Sequence, residues 1–200
     1  MPALDAAKLR SALADYSIGR EIVVLEETTS TNDFILQMVS PSTPEGLVVF
    51  AEHQTAGRGQ RGNHWESVRH KGLWLSILLR PKIEIGESAR LTAWTAETVA
   101  STIQEQFSLT ANVKPPNDVY VDGRKVAGVL VEMRAQKNAP HLAIAGIGIN
   151  VNHAPEDFSG EIRSRATSLA MAANRQVNRE EFATALLRNL DRTYCASFGL

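Results

Sequence analysis

Length, composition and charge allow one globular domain and exclude binding to polyanions through overall charge. The 200 residues are 44% apolar, which is enough for one continuous hydrophobic core. A net charge of −1 gives no general attraction to nucleic acid or to a membrane, so any anion binding must be local. The single cysteine, Cys195, cannot form an internal disulfide, and the sequence has no signal-peptide pattern and no run near the ~18 apolar residues of a membrane span. We therefore expect a cytoplasmic protein that binds neither DNA nor membranes.

The first part of the chain predicts three strands and one helix. The helix begins near Asn32, where Thr29 or Ser30 can cap its free backbone amides. The third strand is apolar on both faces, as expected in the middle of a sheet. The three predicted strands are Ile22 to Leu25, Leu47 to Phe50 and Leu73 to Leu79.

The second part predicts two long helices, a hairpin and a further strand. Two alternating apolar runs surround Asp122 and Gly123, which is a strong hairpin signal. His141 to Ile149 predicts another strand, and Asn178 with Glu181 resembles a capping box before the last helix. The other helix shows apolar residues at helical spacing: Ala96, Val99, Ile103 and Phe107. The whole pattern predicts an α+β domain with a mixed, largely antiparallel sheet and flanking helices.

The segment from Ala51 to Ser67 is the strongest candidate for a binding site. Three glycines and two arginines fall within six residues, so the backbone can approach a ligand closely and guanidinium groups can bind phosphate or carboxylate. The glycines match the dinucleotide pattern GxGxxG, but another strand rather than a helix follows them. The lysine and hydroxyl residue of a Walker loop are missing, and so are the HRD and DFG motifs of protein kinases. The segment therefore predicts an anion site of another type, unless it is only a solvated basic loop.

Three other segments carry polar residues that can bind a ligand or only stabilise local structure. ETTSTNDF can place Ser30, Thr31 and Asn32 at the start of a helix, either as caps or as partners of a polar heterocycle. In VKPPNDVYVDGRKVAGVLVE the charged side chains can be ordinary solvated groups, but Gly128 inside a strand indicates close approach of a ligand or backbone. AGIGINVN contains Asn150, whose amide can bind a base or phosphate or only follow a tightly packed strand.

The order of these four segments resembles the catalytic domain of biotin protein ligases. The matching motifs are STN, QTAGRGQRG followed by Trp65, KPPND with GRKVAGVLVE, and GIGINVN, over roughly residues 22–190. The resemblance implies a biotin/lipoate ligase fold of the class II synthetase type, with residues 1–200 as one catalytic domain. It also implies that the C-terminal SH3-like domain of many members is absent or truncated, and no helix-turn-helix segment precedes the motifs, so we expect no repressor role.

The resemblance also implies an activity. Members of that family react biotin with ATP to biotinyl-5′-AMP, and a lysine of a biotin carboxyl carrier protein then takes the biotin. The implied cofactors are ATP and Mg²⁺, the implied partner is the carrier protein, and a homodimer is possible. Asp118 or Asn117 would place Mg²⁺, a hard cation that prefers oxygen ligands. Lys125, Arg58 and Asp118 would be the catalytic residues. The cations Lys125 and Arg58 would lower the repulsion between a carboxylate and phosphates, and Asp118 would help to place Mg²⁺.

Two groups of residues match the binding motifs of the family. Within them, Gly128 would clear space for the ligand and Trp65 would supply an apolar wall. The group implied to bind biotin is Ser30, Thr31, Asn32, Gln54, Gly57, Arg58, Gly59, Gln60, Trp65, Lys125 and Gly128. The group implied to bind ATP is Arg58, Arg61, Lys114, Asn117, Asp118, Lys125 and Asn150.

The sequence departs from the family pattern, and two other functions stay open. Gln60 and Asn63 stand where many members have basic residues, so phosphate contacts would be fewer unless Arg61 compensates, and Pro115 replaces an aromatic residue. A lipoate or octanoate transferase or ligase shares the fold, but its pocket must accept a long apolar chain. A biotin or nucleotide sensor would keep the pocket without turnover.

Overall fold

The computed structural model describes residues 2–40, 42–136 and 141–198. Within these ranges, seven strands form one sheet and six α-helices pack around it. The helices are α1 (Ala6–Ala12), α2 (Thr31–Met38), α3 (Ser88–Phe107), α4 (Ile162–Arg165), α5 (Leu169–Ala173) and α6 (Arg179–Phe198). The strands are β1 (Ile22–Leu25), β2 (Val48–Ala51), β3 (Gly72–Leu79), β4 (Ala111–Lys114), β5 (Asp118–Val121), β6 (Arg124–Arg134) and β7 (Leu142–Asn150). None of the helices in these ranges has the length and apolar character needed to span a membrane.

The sheet is mixed, and its strand order is β1-β2-β3-β7-β6-β5-β4. The first two strands in this order run parallel, whereas every other neighbouring pair is antiparallel. The predicted mixed, largely antiparallel sheet with flanking helices is therefore confirmed. β3 has a neighbour on each side and is buried along its whole length, as its apolar sequence predicted.

The two faces of the sheet differ because successive side chains of a strand point to opposite faces. On one face the odd-numbered residues of β3 and β7, such as Ile77 and Ile147, join Val99 of α3 and Leu186 of α6 in the main core. On the other face, Ile35 of α2 packs against a smaller apolar cluster. Near the start of α2 this second face carries small and polar residues instead. We call it the site face.

The predicted elements are confirmed, with boundary shifts of about one residue. The hairpin turn lies at Asp122 and Gly123, with positive φ angles of 49° and 74°. Asn178 Oδ1 accepts a hydrogen bond from the N–H of Glu181 at 3.3 Å, just before α6. One predicted cap is wrong: Ser30 directly precedes α2, but its hydroxyl makes no capping hydrogen bond.

Candidate functional site

Glycines on the site face make room for two larger side chains. A Cβ atom on Gly146 would lie 2.4 Å from Asn32 Oδ1. A Cβ atom on Gly128 or Gly148 would lie 2.8 or 2.5 Å from the ring of Trp65. Because Gly128 pairs with Gly148 across β6 and β7, the indole ring lies over a patch without side chains. The missing side chain of Gly128 makes room for Trp65, and Gly128 also lines the cavity described below.

A buried polar network fixes the start of α2. The N–H of Thr31 donates to Gln54 Oε1 at 2.9 Å, so Gln54 supplies the cap that Ser30 does not. Ser76 Oγ lies 2.5 Å from Asn32 Oδ1 and 2.7 Å from Thr31 Oγ1. The four side chains of this network are buried, and buried polar groups that satisfy one another hold defined orientations. The base of the site therefore presents its polar groups in one arrangement.

A cavity of about 280 Å³ adjoins this network; we call it the first cavity. Every residue predicted to bind biotin or ATP lines it, except Gly57 and Asn150. A Cβ atom on Gly57 would lie 2.6 Å from the carbonyl oxygen of Trp65, so this glycine serves the folding of its own loop. The structure thus brings fourteen predicted residues from distant parts of the sequence to one cavity.

Two carboxylates hold Arg58 at this cavity. Its guanidinium donates to Glu132 at 3.1 Å (Nη1 to Oε1) and 2.7 Å (Nη2 to Oε2), and to Asp33 Oδ1 at 2.7 Å. Burial opposes the charge, but the hydrogen bonds and charge of Glu132 and the charge of Asp33 outweigh it and raise the pKa of Arg58. The sequence predicted a guanidinium fork for a ligand anion. The structure shows that this fork already engages a carboxylate of the protein.

The glycine-rich loop is folded upon itself. The N–H of Gly59 donates to the carbonyl oxygen of Asn63 at 2.7 Å. A short 3₁₀ helix, Gln60–Gly62, forms the tip of the loop, and Arg61 within it has a left-handed φ of 58°. Both side chains at the tip, of Gln60 and Arg61, line the first cavity.

Lys125 lies where the first cavity meets a second cavity of about 470 Å³. Its Nζ atom is 2.7 Å from Asp118 Oδ1 and 5.2 Å from the centre of the Trp65 ring. The contact with Asp118 is an ion pair, since it lacks the alignment of a hydrogen bond. All three residues line both cavities, so the ammonium group is held at their boundary.

The second cavity has an aromatic wall. His153 stacks on Phe158 with ring centres 5.2 Å apart, and it meets Trp74 edge-on. Burial lowers the pKa of His153 to about 4, so the imidazole is neutral near pH 7. Asn150 belongs to this cavity, where its Nδ2 donates to the carbonyl oxygen of Thr167 at 3.1 Å. Asn150 therefore lies on the far side of Lys125 from the first cavity's polar base.

Oxygen ligands for a cation are sparse at the boundary of the cavities. Asn117 Nδ2 donates to the carbonyl oxygen of Val129 at 2.9 Å, which leaves its Oδ1 as a possible ligand. Asp118 can supply a second oxygen atom. In the part of the chain that the structure describes, no group of three or more His, Cys, Asp or Glu residues could hold a metal ion. These residues therefore fit an ion that arrives with phosphate oxygens, and not a site made by protein alone.

Sequence comparisons with known proteins identify relatives that are biotin ligases. The model of the biotin/lipoate A/B protein ligase family matches residues 24–150. The chain is 34% identical to the bifunctional ligase/repressor BirA of Bacillus subtilis, over 96% of this chain and 59% of that protein. It is 32% identical to the biotin–[acetyl-CoA-carboxylase] ligase of Mycobacterium tuberculosis, over 95% of this chain and 70% of that protein.

A solved structure agrees with the sequence comparisons. The biotin protein ligase from Aquifex aeolicus, in complex with biotin and ATP, has a TM-score of 0.75 and 30% identity, and the match covers 88% of this chain and 72% of that one. The chain spans less than two thirds of the length of its Bacillus relative. The family model, in contrast, matches more than half of the present chain. The chain therefore belongs to the biotin/lipoate A/B protein ligase family.

Proposed function

We propose that this protein activates biotin with ATP to biotinyl-5′-AMP and transfers the biotin to a lysine of a biotin carboxyl carrier protein. The observation that carries the proposal is the position of Lys125, whose ammonium group lies at the boundary of two cavities. A reaction between two anionic substrates needs a cation between their sites, because it lowers their repulsion and stabilises the charge that develops. The Mycobacterium relative named as a biotin ligase and the Aquifex complex with biotin and ATP support the proposal.

The first cavity suits the ring end of biotin. The ureido group of biotin has one carbonyl acceptor and two N–H donors, and a hydroxyl such as that of Ser30 can serve either kind of group. Thr31 and Gln54 are fixed by their mutual hydrogen bonds, so little rotamer entropy is lost when a ligand binds. Trp65 and Leu130, which line this cavity from the site face, supply apolar contacts for the rest of the molecule.

The second cavity suits the nucleoside part of ATP. The ring of Trp65 offers a flat face for a base, and the buried ring of Phe158 lines the same cavity. His153 adds aromatic surface without positive charge, because burial keeps its imidazole neutral. Asn150 donates its Nδ2 to the backbone, which leaves its Oδ1 to accept a hydrogen bond from a base or ribose.

The two half-reactions need no covalent bond to the protein. In the first, an oxygen of the biotin carboxylate attacks the α-phosphorus of ATP, and the bond to pyrophosphate breaks. In the second, the neutral lysine amine of the carrier attacks the acyl carbon, AMP leaves with the electron pair of the C–O bond, and the amine loses one proton. Lys125 would offset charge at the carboxylate and α-phosphate in the first step, and Asp118 would keep its ammonium group in place.

Mg²⁺ fits this site as the companion of ATP. Asp118 and the Oδ1 atom of Asn117 would hold it together with phosphate oxygens. When bound, the ion would neutralise part of the phosphate charge. The residues of this chain would then orient the nucleotide and exclude water from the anhydride.

The cellular location, DNA binding and the assembly of the protein are further proposals. We propose a cytoplasmic protein without a DNA-binding role, and a homodimer as one possible assembly. Among the described residues, β1 and β4 are the outer strands of the sheet, and an outer strand can pair with that of another copy. Sedimentation equilibrium with and without biotin and ATP would measure the assembly.

Transfer of biotin to a carrier protein tests the proposal directly. In a mixture with ATP, Mg²⁺ and biotin, we expect the mass of the carrier to rise by one biotin amide. The increase should disappear when ATP is omitted or when the acceptor lysine of the carrier is replaced by arginine. A carrier of unchanged mass in the complete mixture would refute the proposed function.

Two alternatives predict different outcomes of the same assay. A lipoate or octanoate ligase would modify a carrier with lipoate, and excess lipoate would suppress any transfer of biotin. We expect lipoate to compete weakly, because buried Thr31, Asn32 and Gln54 make the base of the first cavity polar. A biotin or nucleotide sensor would bind biotin in a calorimeter without transferring it.

A further inference from the structure

We propose that Glu132 is a positioning residue that fixes the glycine-rich loop relative to the polar base of the first cavity. Its carboxylate accepts a hydrogen bond from Asn32 Nδ2 at 2.7 Å and two from Arg58, at 3.1 and 2.7 Å. Asn32 belongs to α2, Arg58 belongs to the loop and Glu132 belongs to β6. One side chain thus connects three elements that line the proposed biotin site.

The interaction between Arg58 and Glu132 is stronger than an ordinary surface ion pair, because its geometry is better defined. Exposed ion pairs contribute little on average, because two long side chains must be ordered and solvent screens the charges. Arg58 and Glu132 instead meet through two parallel hydrogen bonds, and such a fork restricts both the position and the plane of the guanidinium. Asp33 on α2 adds a third hydrogen bond to the same guanidinium. The loop is therefore fastened to the sheet and to α2 at one point.

Arg58 keeps donors for a ligand while it is held in this way. A guanidinium carries five N–H donors, and the contacts with Glu132 and Asp33 use three of them. The Nε–H and one Nη1–H remain for an anion in the first cavity, which Arg58 lines. Glu132 can thus hold Arg58 in place during binding, without being displaced by the ligand.

Asn32 depends on Glu132 for its orientation. Its Nδ2 donates to Glu132 at 2.7 Å and more weakly to the carbonyl oxygen of Leu130 at 3.4 Å, while its Oδ1 lies 2.5 Å from Ser76 Oγ. A side chain without hydrogen-bonding groups at position 132 would remove the better acceptor of this amide. We therefore expect two separable effects of Glu132, one on the loop through Arg58 and one on the cavity base through Asn32.

Three variants separate these effects. Glu132→Gln keeps an oxygen that can accept from Asn32 but loses the charged fork to Arg58. Glu132→Ala loses both contacts. Glu87→Gln is the matched control, because Glu87 also pairs with an arginine, Arg90, but on the surface at the start of α3. Circular dichroism would verify that each variant is folded.

Limited digestion with trypsin measures the effect on the loop in protein without added ligands. Cleavage after Arg58 and Arg61 requires the loop to leave its folded conformation, so its rate reports local opening. We expect both Glu132 variants to be cleaved at least about tenfold faster at these bonds, and the control to match the wild type. Unchanged cleavage of folded Glu132 variants would overturn the proposal. If they do not fold, Arg58→Lys takes their place, because it keeps both trypsin sites but cannot form the two-bond fork with Glu132. Faster cleavage after Arg61 in this variant supports the fastening of the loop by the pair, and unchanged cleavage overturns it.

Biotin-dependent exchange of pyrophosphate into ATP measures the effect on the cavity base. This part rests on the proposed function. We expect the KM for biotin to be several-fold higher in Glu132→Ala than in Glu132→Gln, because only the alanine variant deprives Asn32 of its acceptor. Equal KM values in the two variants would overturn the connection to Asn32.

The two assays keep the inference distinct from the proposed function. Exchange by the wild type together with unchanged digestion of the variants would refute the role of Glu132 and leave the function in place. Faster digestion of the variants, with no exchange by the wild type, would refute the function and support the role of Glu132 in fastening the loop.

Discussion

Two arginine–carboxylate pairs of this chain share their geometry and differ in their surroundings. Arg179 donates to Glu52 at 2.6 and 3.1 Å, and Arg58 donates to Glu132 at 2.7 and 3.1 Å. The side chains of Arg179 and Glu52 are 4% and 0% exposed, whereas those of Arg58 and Glu132 are 39% and 24% exposed. Burial makes the first pair costly to break, and partial exposure leaves the second able to meet a ligand. The same pair of groups is thus buried for stability at one place and, at the other, is partly exposed at the proposed binding site.

The buried pair is part of a network that connects the first described residues to the start of the last helix. Glu52 Oε1 accepts a hydrogen bond from the N–H of Leu4 at 2.7 Å, and His70 Nδ1 lies 3.0 Å from Oε2. Arg179, at the start of α6, also donates to the carbonyl oxygen of Pro2 at 2.7 Å. Glu52 directly follows β2, so the segment that leads to the candidate site begins from a fixed point.

The largest effect should come from breaking the buried pair. Glu52→Gln leaves Arg179 charged and buried without its carboxylate, so we expect the free energy of unfolding to fall by about 3–5 kcal/mol. Urea titration followed by circular dichroism would measure the loss. Glu97→Gln, at an exposed position of α3, is the control and should leave the free energy unchanged. Equal stability of Glu52→Gln and wild type would contradict the assigned role of the pair.

Acid should weaken the fold in two steps. Burial lowers the pKa of His153 to about 4 from an ordinary 6.5, so the unfolded chain binds the proton first. The contribution of neutral His153 to the free energy of unfolding is complete above pH 6.5 and decreases by about 3 kcal/mol as the pH falls to 4. Burial alone would raise the pKa of Glu52, but hydrogen bonds from Arg179 and Leu4 lower it below 4.5. The contribution of Glu52 is therefore present above pH 4.5 and is lost as the pH falls through the lowered pKa.

Urea titrations between pH 8 and pH 3 would resolve these steps. In His153→Phe we expect the step between pH 6.5 and 4 to disappear, because phenylalanine can keep the stacking on Phe158 but cannot bind a proton. The step at lower pH should remain in this variant. A wild type whose stability is constant between pH 6.5 and 4 would show that His153 is not held neutral by burial.

Loss of the cation at the boundary of the cavities should affect catalysis without affecting the fold. For Lys125→Ala we expect adenylate formation to slow by at least ~100-fold, equivalent to about 2.7 kcal/mol of transition-state stabilisation. Exchange of pyrophosphate into ATP would measure the rate. Lys82→Ala, which removes an exposed lysine elsewhere, is the control. Unimpaired exchange in Lys125→Ala would remove this lysine from the mechanism.

The smallest effect concerns the tip of the loop, next to the exposed pair. Gln60 lines the first cavity but carries no charge, so Gln60→Arg adds a cation to the wall of the cavity in which the biotin end of the adenylate is proposed to lie. We expect release of biotinyl-5′-AMP to slow several-fold, since charge-assisted hydrogen bonds are stronger than neutral ones. Rapid filtration would give the release rate. Gln106→Arg adds the same charge at an exposed site on α3, and equal release by both variants would count against the idea.

The fold could be predicted from the sequence because its signals are local. Alternating apolar residues fixed β5 and β6, and Asp122 with Gly123 specified the turn between them. In β7 the alternation of glycine and isoleucine already separates the two faces of the sheet: Gly146 and Gly148 face Asn32 and Trp65. The capping of α2 was predicted wrongly, because its partner Gln54 lies on a different segment.

The residues of the site could be predicted only where a matched family motif implied a role for them. Glu132, which holds Arg58, is 74 residues away along the chain; it ends the motif GRKVAGVLVE, but the sequence predicted no role for it. Ser76 did leave a signal that we missed: it is the one polar residue of LWLSILL, and it pairs with Gly146 across the sheet. The low pKa of His153 depends on burial beside Phe158, which only tertiary packing creates.

Exchange of radiolabelled pyrophosphate into ATP by the wild-type protein, with and without biotin, distinguishes the proposed arrangement from a protein that only binds its ligands. In this arrangement, two cavities joined at Lys125 would bring the biotin carboxylate to the α-phosphate of ATP. The arrangement predicts exchange only when biotin is present, and loss of that exchange in Lys125→Ala. A protein that binds biotin and ATP but shows no biotin-dependent exchange would contradict it.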